Sequence, residues 1–286
     1  MPSLKALRKR IATVRSTQQI TKAMKMVAAA KLRRAQEAAE RARPYAAKIV
    51  EMFGAVVADL EGAAHPLLAR RDENRIELVV VTSDRGLCGG FNSNLLRKAE
   101  AFARERPGKQ IVVTAVGRKA VEFFRRRKYT LASERTEVMS HPPSDSARAI
   151  AEGVTQRFAS GETDAVYLLF SRFRSALSQI PTIQPLLPVA QPDGTANAQP
   201  VDYIFEPERP ELLAALLPRY IETLLMQALL ESIASEHGAR MTAMENATSN
   251  AADMIGRLTL SMNRARQSAI TTELMEIVSG AEALKG

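Results

Sequence analysis

The chain has 286 residues, of which 46% are hydrophobic and 25% are charged, an ordinary composition for a soluble folded protein. It contains no uninterrupted apolar run of the length a membrane helix needs, so the composition predicts no membrane span. The single cysteine, Cys88, excludes an internal disulfide, and nothing in the sequence indicates secretion.

The net charge of +9 is concentrated at the amino-terminal end. Residues 1–50 contain 13 Lys and Arg but only two acids, Glu37 and Glu40, whereas the rest of the chain has slightly more acids than bases. This imbalance predicts that the first helix meets an acidic partner surface. An acid-free amino terminus also resembles a mitochondrial transit peptide. However, it is poor in serine and its apolar repeat continues to Leu60, so we expect it to belong to the folded protein.

Residues 1–60 have the apolar spacing of a long helix that pairs with another helix. The apolar positions alternate three and four apart, as in helices that wind around each other. They are Leu4, Leu7, Ile11, Val14, Ala28, Leu32, Ala35, Ala39, Ala42, Ala46, Ile49, Phe53, Val56 and Leu60. The seam is interrupted by Gln18, Thr21 and Lys25, where the apolar stripe shifts to Ile20, Met24 and Val27. The interruption has two interpretations, control of helix register and contact with an outside partner. Pro44 predicts a kink or an end of the helix near Arg43.

Residues 75–207 alternate between strand-like and helix-like segments, which predicts a Rossmann-like α/β domain built on an open parallel sheet. Buried strands are predicted at 76–82, 110–116 and 165–170, and a short strand at 201–205. Helices are predicted at 93–106, 118–127 and 144–158. Three prolines restrict the extended segment 177–189 to an edge strand or an arm.

Residues 210–286 form the third predicted segment, a second long helix with the same kind of repeat. Its apolar positions are Leu230, Ala234, Met241, Met244, Ala251, Ile255, Leu258 and Met262, and polar groups return at Arg266, Gln267 and Thr271. At ~1.5 Å per residue the two terminal helices would reach roughly 85 and 110 Å. The sequence therefore predicts an α/β protein with a rod of two terminal helices, and rods transmit force or bridge partners.

The best candidate for a nucleotide site is the glycine-rich turn at residues 83–92. It follows a predicted strand and precedes a helix, as a phosphate-binding loop does. However, it matches neither the dinucleotide-binding pattern nor the P-loop pattern. Glycine in such a turn serves the backbone conformation first, so a tight strand-to-helix turn is the alternative interpretation.

No other constellation of residues indicates catalysis. The three histidines stand apart from each other and from Cys88, so we predict no metal site, no cofactor and no catalytic residue. The basic first helix suits phosphate contacts, but residues 1–44 contain no aromatic side chain on which bases would stack. We therefore expect no nucleic-acid partner.

Five segments resemble the gamma subunit of F-type, proton-translocating ATP synthases. They are 17–31 (TQQITKAMKMVAAAK), 83–92 (SDRGLCGGFN), 235–244 (SEHGARMTAM), 265–274 (ARQSAITTEL) and 276–281 (EIVSGA). They occur in the family's order and span nearly the whole chain. Because it carries these motifs, the chain resembles members of that family, and in particular those of the bacterial type.

The resemblance implies a mechanical function. In this family the terminal helices form a long antiparallel coiled coil inside a hexamer of alpha and beta subunits, and the inserted α/β domain sits at the foot. The foot meets the epsilon subunit and the membrane ring of c subunits. Proton flow turns the ring, and the ring turns gamma, which drives the beta sites through their states. Gamma itself is not an enzyme.

The resemblance also implies particular contacts. Lys22, Met24 and Lys25 are expected near an acidic loop of beta, and Arg240 is expected to join that zone. Arg266, Gln267 and Thr271 are expected to face the upper part of the hexamer. Tyr203 and Glu206 are expected to face the ring or epsilon. For each of these residues the alternative is a solvated or seam position without a partner.

Two further expectations concern regulation and location. The chain lacks the cysteine pair of the plant-chloroplast type, so thiol control of rotation is not predicted. Without a presequence, the expected location is peripheral, at the cytoplasmic face of a bacterial inner membrane.

Overall fold

The computed structural model describes residues 3–58, 65–138, 143–190 and 209–283. The chain divides into two compact units, one formed by Met1–Val27 with Met241–Gly286 and the other by Ala28–Arg240. The predicted strand at 201–205 and the predicted foot contacts Tyr203 and Glu206 lie outside the described residues.

The first unit is a pair of antiparallel helices. They belong to helix α1 (Leu4–Ala58) and helix α5 (Arg209–Ala283). Lys25 of α1 lies beside Glu245 of α5, and Thr21 lies beside Thr248. Residue numbers therefore run in opposite directions along the two helices, so the helices are antiparallel. Leu7 and Ile11 of α1, together with Met244 and Ala251 of α5, are buried along this seam. The predicted pairing of two long terminal helices is therefore confirmed.

The seam does not shift sideways at its polar interruption. Thr21 is only 8% exposed and continues the seam, whereas Ile20 and Val27 are each 56% exposed. The predicted replacement of the seam by a stripe through Ile20 and Val27 is wrong. A hydrogen bond between two threonines keeps the original register, so no apolar substitute is needed there.

Helix α1 continues through Pro44 instead of ending near Arg43. A proline inside a helix has no N–H, so one backbone hydrogen bond of the helix is lost, at a cost of about 3 kcal/mol. Beyond it, Ala46, Ile49 and Phe53 are buried in the second unit. At roughly 1.5–3 kcal/mol for each fully buried large side chain, this burial outweighs the cost of the proline.

The second unit contains a five-stranded sheet in the order β3-β2-β1-β4-β5. Its strands are β1 (Arg75–Val81), β2 (Gln110–Val116), β3 (Thr130–Arg135), β4 (Ala165–Phe173) and β5 (Gln179–Leu187). Helices α2 (Phe91–Arg104), α3 (Arg118–Arg126) and α4 (Pro143–Ala159) connect the parallel strands. Among the strands that the structure describes, only β5 is antiparallel to its neighbour. This order reverses direction at β1 and β4, as in doubly wound folds, so the Rossmann-like prediction is confirmed.

The two faces of the sheet bury different helices, because alternate residues of each strand point to opposite sides. Ile76, Leu78 and Val80 of β1 pack in the core that includes α2 and α3. Val79 and Val81 pack in the other core, with α4 and the nearby parts of α1 and α5. The α2–α3 layer therefore covers the face of the sheet opposite α4, and α5 reaches that core at Ala239.

Among the described residues, one stretch of α5 is apolar and long enough to span a membrane, by length and composition only. Half of that stretch is buried inside the protein, and a helix that packs in a protein core meets the same criteria of length and composition.

Candidate partner-binding surfaces

The three predicted contacts on α1 lie around the polar part of the seam. Lys25 donates a hydrogen bond from Nζ to Oε1 of Glu245 at 2.6 Å, with both side chains partly exposed. Met24 is half-buried and Lys22 is exposed. Lys22 forms no ion pair with any residue that the structure describes. Lys22 is thus available to a partner, whereas a carboxylate that approaches Lys25 must compete with Glu245.

The buried hydrogen bond between Thr21 and Thr248, 2.8 Å from Oγ1 to Oγ1, satisfies the seam internally. Each threonine hydroxyl also lies within hydrogen-bond distance of a backbone carbonyl of its own helix. The carbonyl is that of Gln18 for Thr21 and that of Met244 for Thr248. This geometry fits the register interpretation of the polar interruption. The partner interpretation then applies to the residues that flank the seam and not to the seam itself.

The second predicted group lies near the end of α5. Arg266, Gln267 and Thr271 are all exposed, and the Thr271 hydroxyl donates to the Gln267 carbonyl at 3.0 Å. Large apolar side chains beside them are exposed as well. They are Ile270, Leu274, Met275, Ile277 and Val278, with exposures between 44% and 68%. A contiguous run of exposed apolar side chains marks a surface that another molecule covers.

Arg240, the remaining predicted contact, lies in the second unit and is mostly enclosed. Its side chain is 12% exposed and its Nη1 pairs with Oε1 of Glu236 at 2.6 Å. The other guanidinium nitrogen donates to the carbonyl of Gly86 at 3.1 Å. Arg240 therefore holds the glycine-rich turn against α5, at the carboxyl end of the sheet.

The buried groups around Arg240 have altered acidities. Burial raises the pKa of Glu236, although the adjacent Arg240 opposes the change. Burial also lowers the pKa of His237 to about 4, and the positive charge of Arg240 adds to this effect. The His237 ring is therefore neutral at physiological pH, so its Nδ1, 3.3 Å from Nη1 of Arg240, can accept a hydrogen bond.

The glycine-rich turn is a tight, internally bonded structure. The amide of Ser83 donates to Oδ1 of Asn92 at 3.0 Å, and two backbone amides, of Arg118 and Glu137, donate to Oδ1 of Asp84. Gly89 has a φ of 57°, which glycine adopts readily. Burial raises the pKa of the Cys88 thiol, which keeps it protonated. These contacts fit the structural interpretation of the turn.

Helix α5 fills the crevice where doubly wound folds bind nucleotides. That crevice lies outside the carboxyl ends of the strands, at the point where strand order reverses, here between β1 and β4. The Ser171 amide donates to Oγ of Ser232 at 3.2 Å, and Oγ of Ser235 donates to the Ser171 carbonyl at 3.0 Å. At Gly238 an added Cβ would lie 3.2 Å from Cε2 of Phe173. The helix backbone therefore occupies the space that a nucleotide would need.

In the part of the chain that the structure describes, no group of three or more His, Cys, Asp or Glu side chains is placed to hold a metal ion.

Sequence reasoning missed several residues that these surfaces use. Glu245 is more than 200 positions from Lys25, so no local pattern marks it as the partner. The pair Glu236 and Arg240 has the i, i+4 spacing of opposite charges on a helix, which is a signal that could have found it.

Comparison with known proteins covers the whole chain. A family model described as ATP synthase matches residues 3–284. The chain is 53% identical to the ATP synthase gamma chain of Geobacter metallireducens over 289 aligned positions, and 51% identical to that of Pelotomaculum thermopropionicum over 285. In both comparisons the alignment covers 100% of each chain.

Solved structures show the same fold. A central-stalk chain of the Tetrahymena thermophila mitochondrial ATP synthase matches with a TM-score of 0.62 and 29% identity, over 80% of this chain and 99% of that one. A chain of the Euglena gracilis mitochondrial enzyme matches with a TM-score of 0.69 and 20% identity, over 98% and 94%.

Proposed function

The chain belongs to the ATP synthase gamma-chain family, and from that premise we propose that it is the rotating central shaft of a bacterial ATP synthase. It is a component of the enzyme complex, and in our proposal it couples rotation of the c-ring to the catalytic sites without doing bond chemistry itself. Its partners are the alpha and beta subunits, the epsilon subunit and the c-ring.

The asymmetry of the helix pair is the observation that carries this proposal. The α1 part of the first unit, residues 4–27, has seven bases and no acid, whereas residues 241–283 of α5 have three bases and five acids. Toward its end α5 also exposes a run of apolar side chains. A shaft selects among equivalent catalytic sites only if it interacts with them differently, and a pair with unlike faces does so at every angle.

Two sets of residues are the proposed contacts with the hexamer. Lys22, with Met24 and Lys25 beside it, meets an acidic loop of beta. Arg266, Gln267 and Thr271, with the apolar side chains next to them, meet the apolar lining of the hexamer. Charge complementarity at the first set guides orientation, and burial of apolar area at the second stabilises the contact.

Arg240 acts indirectly in this proposal. Its guanidinium is used by Glu236 and by the Gly86 carbonyl, so it positions the turn at 83–92. The turn exposes Leu87, which is 65% exposed, and presents it to the hexamer. Tyr203 and Glu206 remain the proposed contacts with the ring or epsilon.

The relatives named above are ATP synthase gamma chains of bacteria, which supports a location at the cytoplasmic face of the bacterial inner membrane. There the chain associates with the membrane peripherally, through the complex.

A nucleotide-binding enzyme built on the central sheet is the rival function. It needs an open crevice at the β1–β4 crossover, and α5 occupies that space. No observation favours this rival.

The proposal is tested by measuring ATP hydrolysis by this chain alone, by matching alpha and beta subunits, and by all three together. We expect no turnover by the chain alone, and a stable complex with high turnover from the mixture. Hydrolysis by the isolated chain, or failure to associate with alpha and beta, would overturn the proposal.

A further inference from the structure

The α2–α3 layer carries a strong positive charge that the function described above does not use. Residues 91–128 contain eleven bases and three acids, a net charge of +8. The slight excess of acids after residue 50 conceals this, because the acids lie elsewhere in the chain. The charge is therefore a local property of one side of the α/β domain.

Five of these cations lie on α2 or at the carboxyl end of α3. Nη1 of Arg127 lies 3.5 Å from Oε1 of Glu100, which joins the end of α3 to the middle of α2. Arg97 and Arg104 stand one turn before and one turn after Glu100 on the same helix face. Arg126 and Lys128 flank Arg127. We call Arg97, Arg104, Arg126, Arg127 and Lys128 the basic cluster.

The basic cluster is exposed and largely unneutralised. All five side chains are exposed, and only Arg127 has an ion-pair partner among the residues that the structure describes. By contrast, Arg118, Lys119 and Arg125 on the same layer each pair with a glutamate. Cations at helix carboxyl ends favour the helix dipole, but one or two suffice for that role.

The basic cluster lies at the end of the sheet opposite Arg240. Helices α2 and α3 return from the carboxyl ends of parallel strands, so their own carboxyl ends lie near the amino ends, where β2 begins at Gln110 and β3 at Thr130. Arg240 holds the turn that follows the carboxyl end of β1. The two ends of the domain therefore carry different surfaces.

The direction of helix α5 indicates which end of the α/β domain faces the c-ring. Ser232 and Ser235 bond to Ser171, and Gly238 lies farther along, against Phe173 and Ala176. Because α5 advances toward the carboxyl end of β4, it begins at the other end, after the segment proposed to meet the c-ring. The basic cluster is therefore on the side of the domain that faces the membrane, a conclusion that rests on the proposed function.

The surface has the chemistry for anionic lipid headgroups. Among the described residues of α2 and α3, no large apolar side chain is exposed, so the surface offers neither a membrane-inserting group nor a stacking platform for bases. Clustered Lys and Arg close to a bilayer attract its anionic lipids through electrostatics alone. A rotating face that bound a stationary acidic protein would be held at one angle, whereas a fluid leaflet attracts it equally at all angles.

We propose that the basic cluster interacts with anionic phospholipid headgroups of the leaflet beneath the rotor, and that this attraction steadies the α/β domain without opposing rotation. The interaction is screened beyond a Debye length of roughly 8 Å at physiological salt, so it acts only at short range.

The test uses the complex with alpha and beta, in which the amino-terminal cations of α1 are covered. Co-sedimentation with phosphatidylglycerol–phosphatidylcholine vesicles is compared for three proteins. They are the unmodified complex, the cluster variant R104E/R126E/K128E, and a control variant R34E/R41E/R174E that changes the charge equally at exposed sites elsewhere in the second unit.

We expect the cluster variant to bind the anionic vesicles about tenfold or more weakly than the other two, since each basic residue near the surface contributes substantially. All three should bind pure phosphatidylcholine weakly, and 0.5 M salt should abolish the difference. Equal binding by cluster and control variants would overturn the inference. So would a cluster variant that keeps its vesicle binding but loses an acidic subunit of the holoenzyme, which would make the cluster a protein interface.

The same preparations separate the two proposals. A complex that forms and hydrolyses ATP normally, while its vesicle binding ignores the cluster, defeats only the lipid inference. A chain that forms no complex with alpha and beta defeats the proposed function and, with it, the lipid inference.

Discussion

At the residue scale, the paired helices contain two kinds of polar contact with different consequences. The Thr21–Thr248 hydrogen bond is buried and internal, so it sets the register of the pair. The Lys25–Glu245 ion pair is partly exposed and spans the same two helices, so it stabilises the pair by about 1 kcal/mol at most. Lys22 lies next to both contacts, but it neither sets the register of the pair nor forms an ion pair with a described residue.

Lys22→Glu is expected to weaken coupling without weakening the fold. Its side chain is exposed and has no ion-pair partner in the described part of the chain, so the melting temperature should change by less than about 2 °C. If Lys22 meets the proposed acidic loop of beta, ATP-driven proton pumping by the membrane-bound complex should fall several-fold, because two carboxylates would then face each other.

The role of Lys25 is tested by exchanging its positive charge with the negative charge of Glu245. Lys25→Glu places two carboxylates together, and K25E/E245K restores the internal pair. If Lys25 contacts beta, pumping stays low in both variants. Normal pumping in K25E/E245K would show that Lys25 serves only the helix pair, and normal pumping in the Lys22 variant would remove the contact proposed there.

His237 is expected to make the second unit sensitive to acid. Its pKa is lowered from 6.5 to about 4 in the folded protein, so the neutral ring is favoured there. For a base with a depressed folded pKa, the stability is fully present above pH 6.5 and is lost as the pH falls toward 4. Each pKa unit corresponds to about 1.4 kcal/mol.

His237→Gln removes that titration. Urea unfolding at several pH values should therefore give a flatter profile between pH 6.5 and 4 for the variant than for the unmodified protein. The carboxyl groups titrate in both proteins and cancel in the difference. Parallel profiles would contradict the assignment of a half-buried neutral ring.

At the element scale, the close passage of α5 over the sheet explains both its glycine and the closed crevice. At Gly238 an added Cβ would meet Cε2 of Phe173 at 3.2 Å and Cα of Ala176 at 3.3 Å, whereas at Gly256 it would meet nothing within 4 Å. Both glycines are inside the same helix. They therefore make a matched pair that separates helix propensity from packing.

Gly256→Ala should stabilise the protein by up to about 1 kcal/mol, since alanine is the better helix former. Gly238→Ala should lose that gain to the close contact, and Gly238→Leu should destabilise the second unit by roughly 1–3 kcal/mol through overpacking. Urea unfolding followed by circular dichroism measures each difference. Stabilisation by both alanine variants would show that α5 does not depend on the close approach.

Elements were predictable from sequence where burial dominates their pattern. The apolar runs gave β1, β2 and β4 close to their observed bounds, and the three prolines correctly placed β5 at an edge. Strand β3, sequence TLASER, was missed because an edge strand with no fully buried residue has no apolar run. The helix through Pro44 was misjudged because tertiary burial, not local propensity, decides its length.

The candidate surfaces were less predictable than the fold. Lys22, Arg266 and Gln267 came from family resemblance, and their exposure agrees with that role. Arg240 is expected to join the contact zone around Lys22, whereas its guanidinium binds Glu236 and the Gly86 carbonyl. Such commitments join residues distant in sequence, so only the folded chain reveals them.

At the scale of the whole molecule, the second unit provides the stability of the fold, and the first unit provides the surface proposed to transmit torque. The second unit holds both sheet cores, and the end of α5 belongs to the first unit. Residues 266–281 are almost entirely exposed and include the large apolar side chains from Ile270 to Val278. Exposure of that kind adds little to the stability of the isolated chain, so its value must lie in the complex.

Deleting residues 266–286 should therefore leave the unfolding of the second unit unchanged while lowering assembly with alpha and beta, or the torque of the assembled motor. The full-length control I270S/L274S/I277S keeps the helix but removes apolar area that would otherwise be buried, at about 25 cal/mol per Å². If apolar contact with the hexamer provides the support, the control should lose activity nearly as far as the deletion. Single-molecule rotation and ATP-driven proton pumping measure the loss, and circular dichroism checks the fold. A deleted chain that assembles, rotates and pumps like the intact one would mean that the shaft is driven and supported by α1 and the lower part of α5 alone.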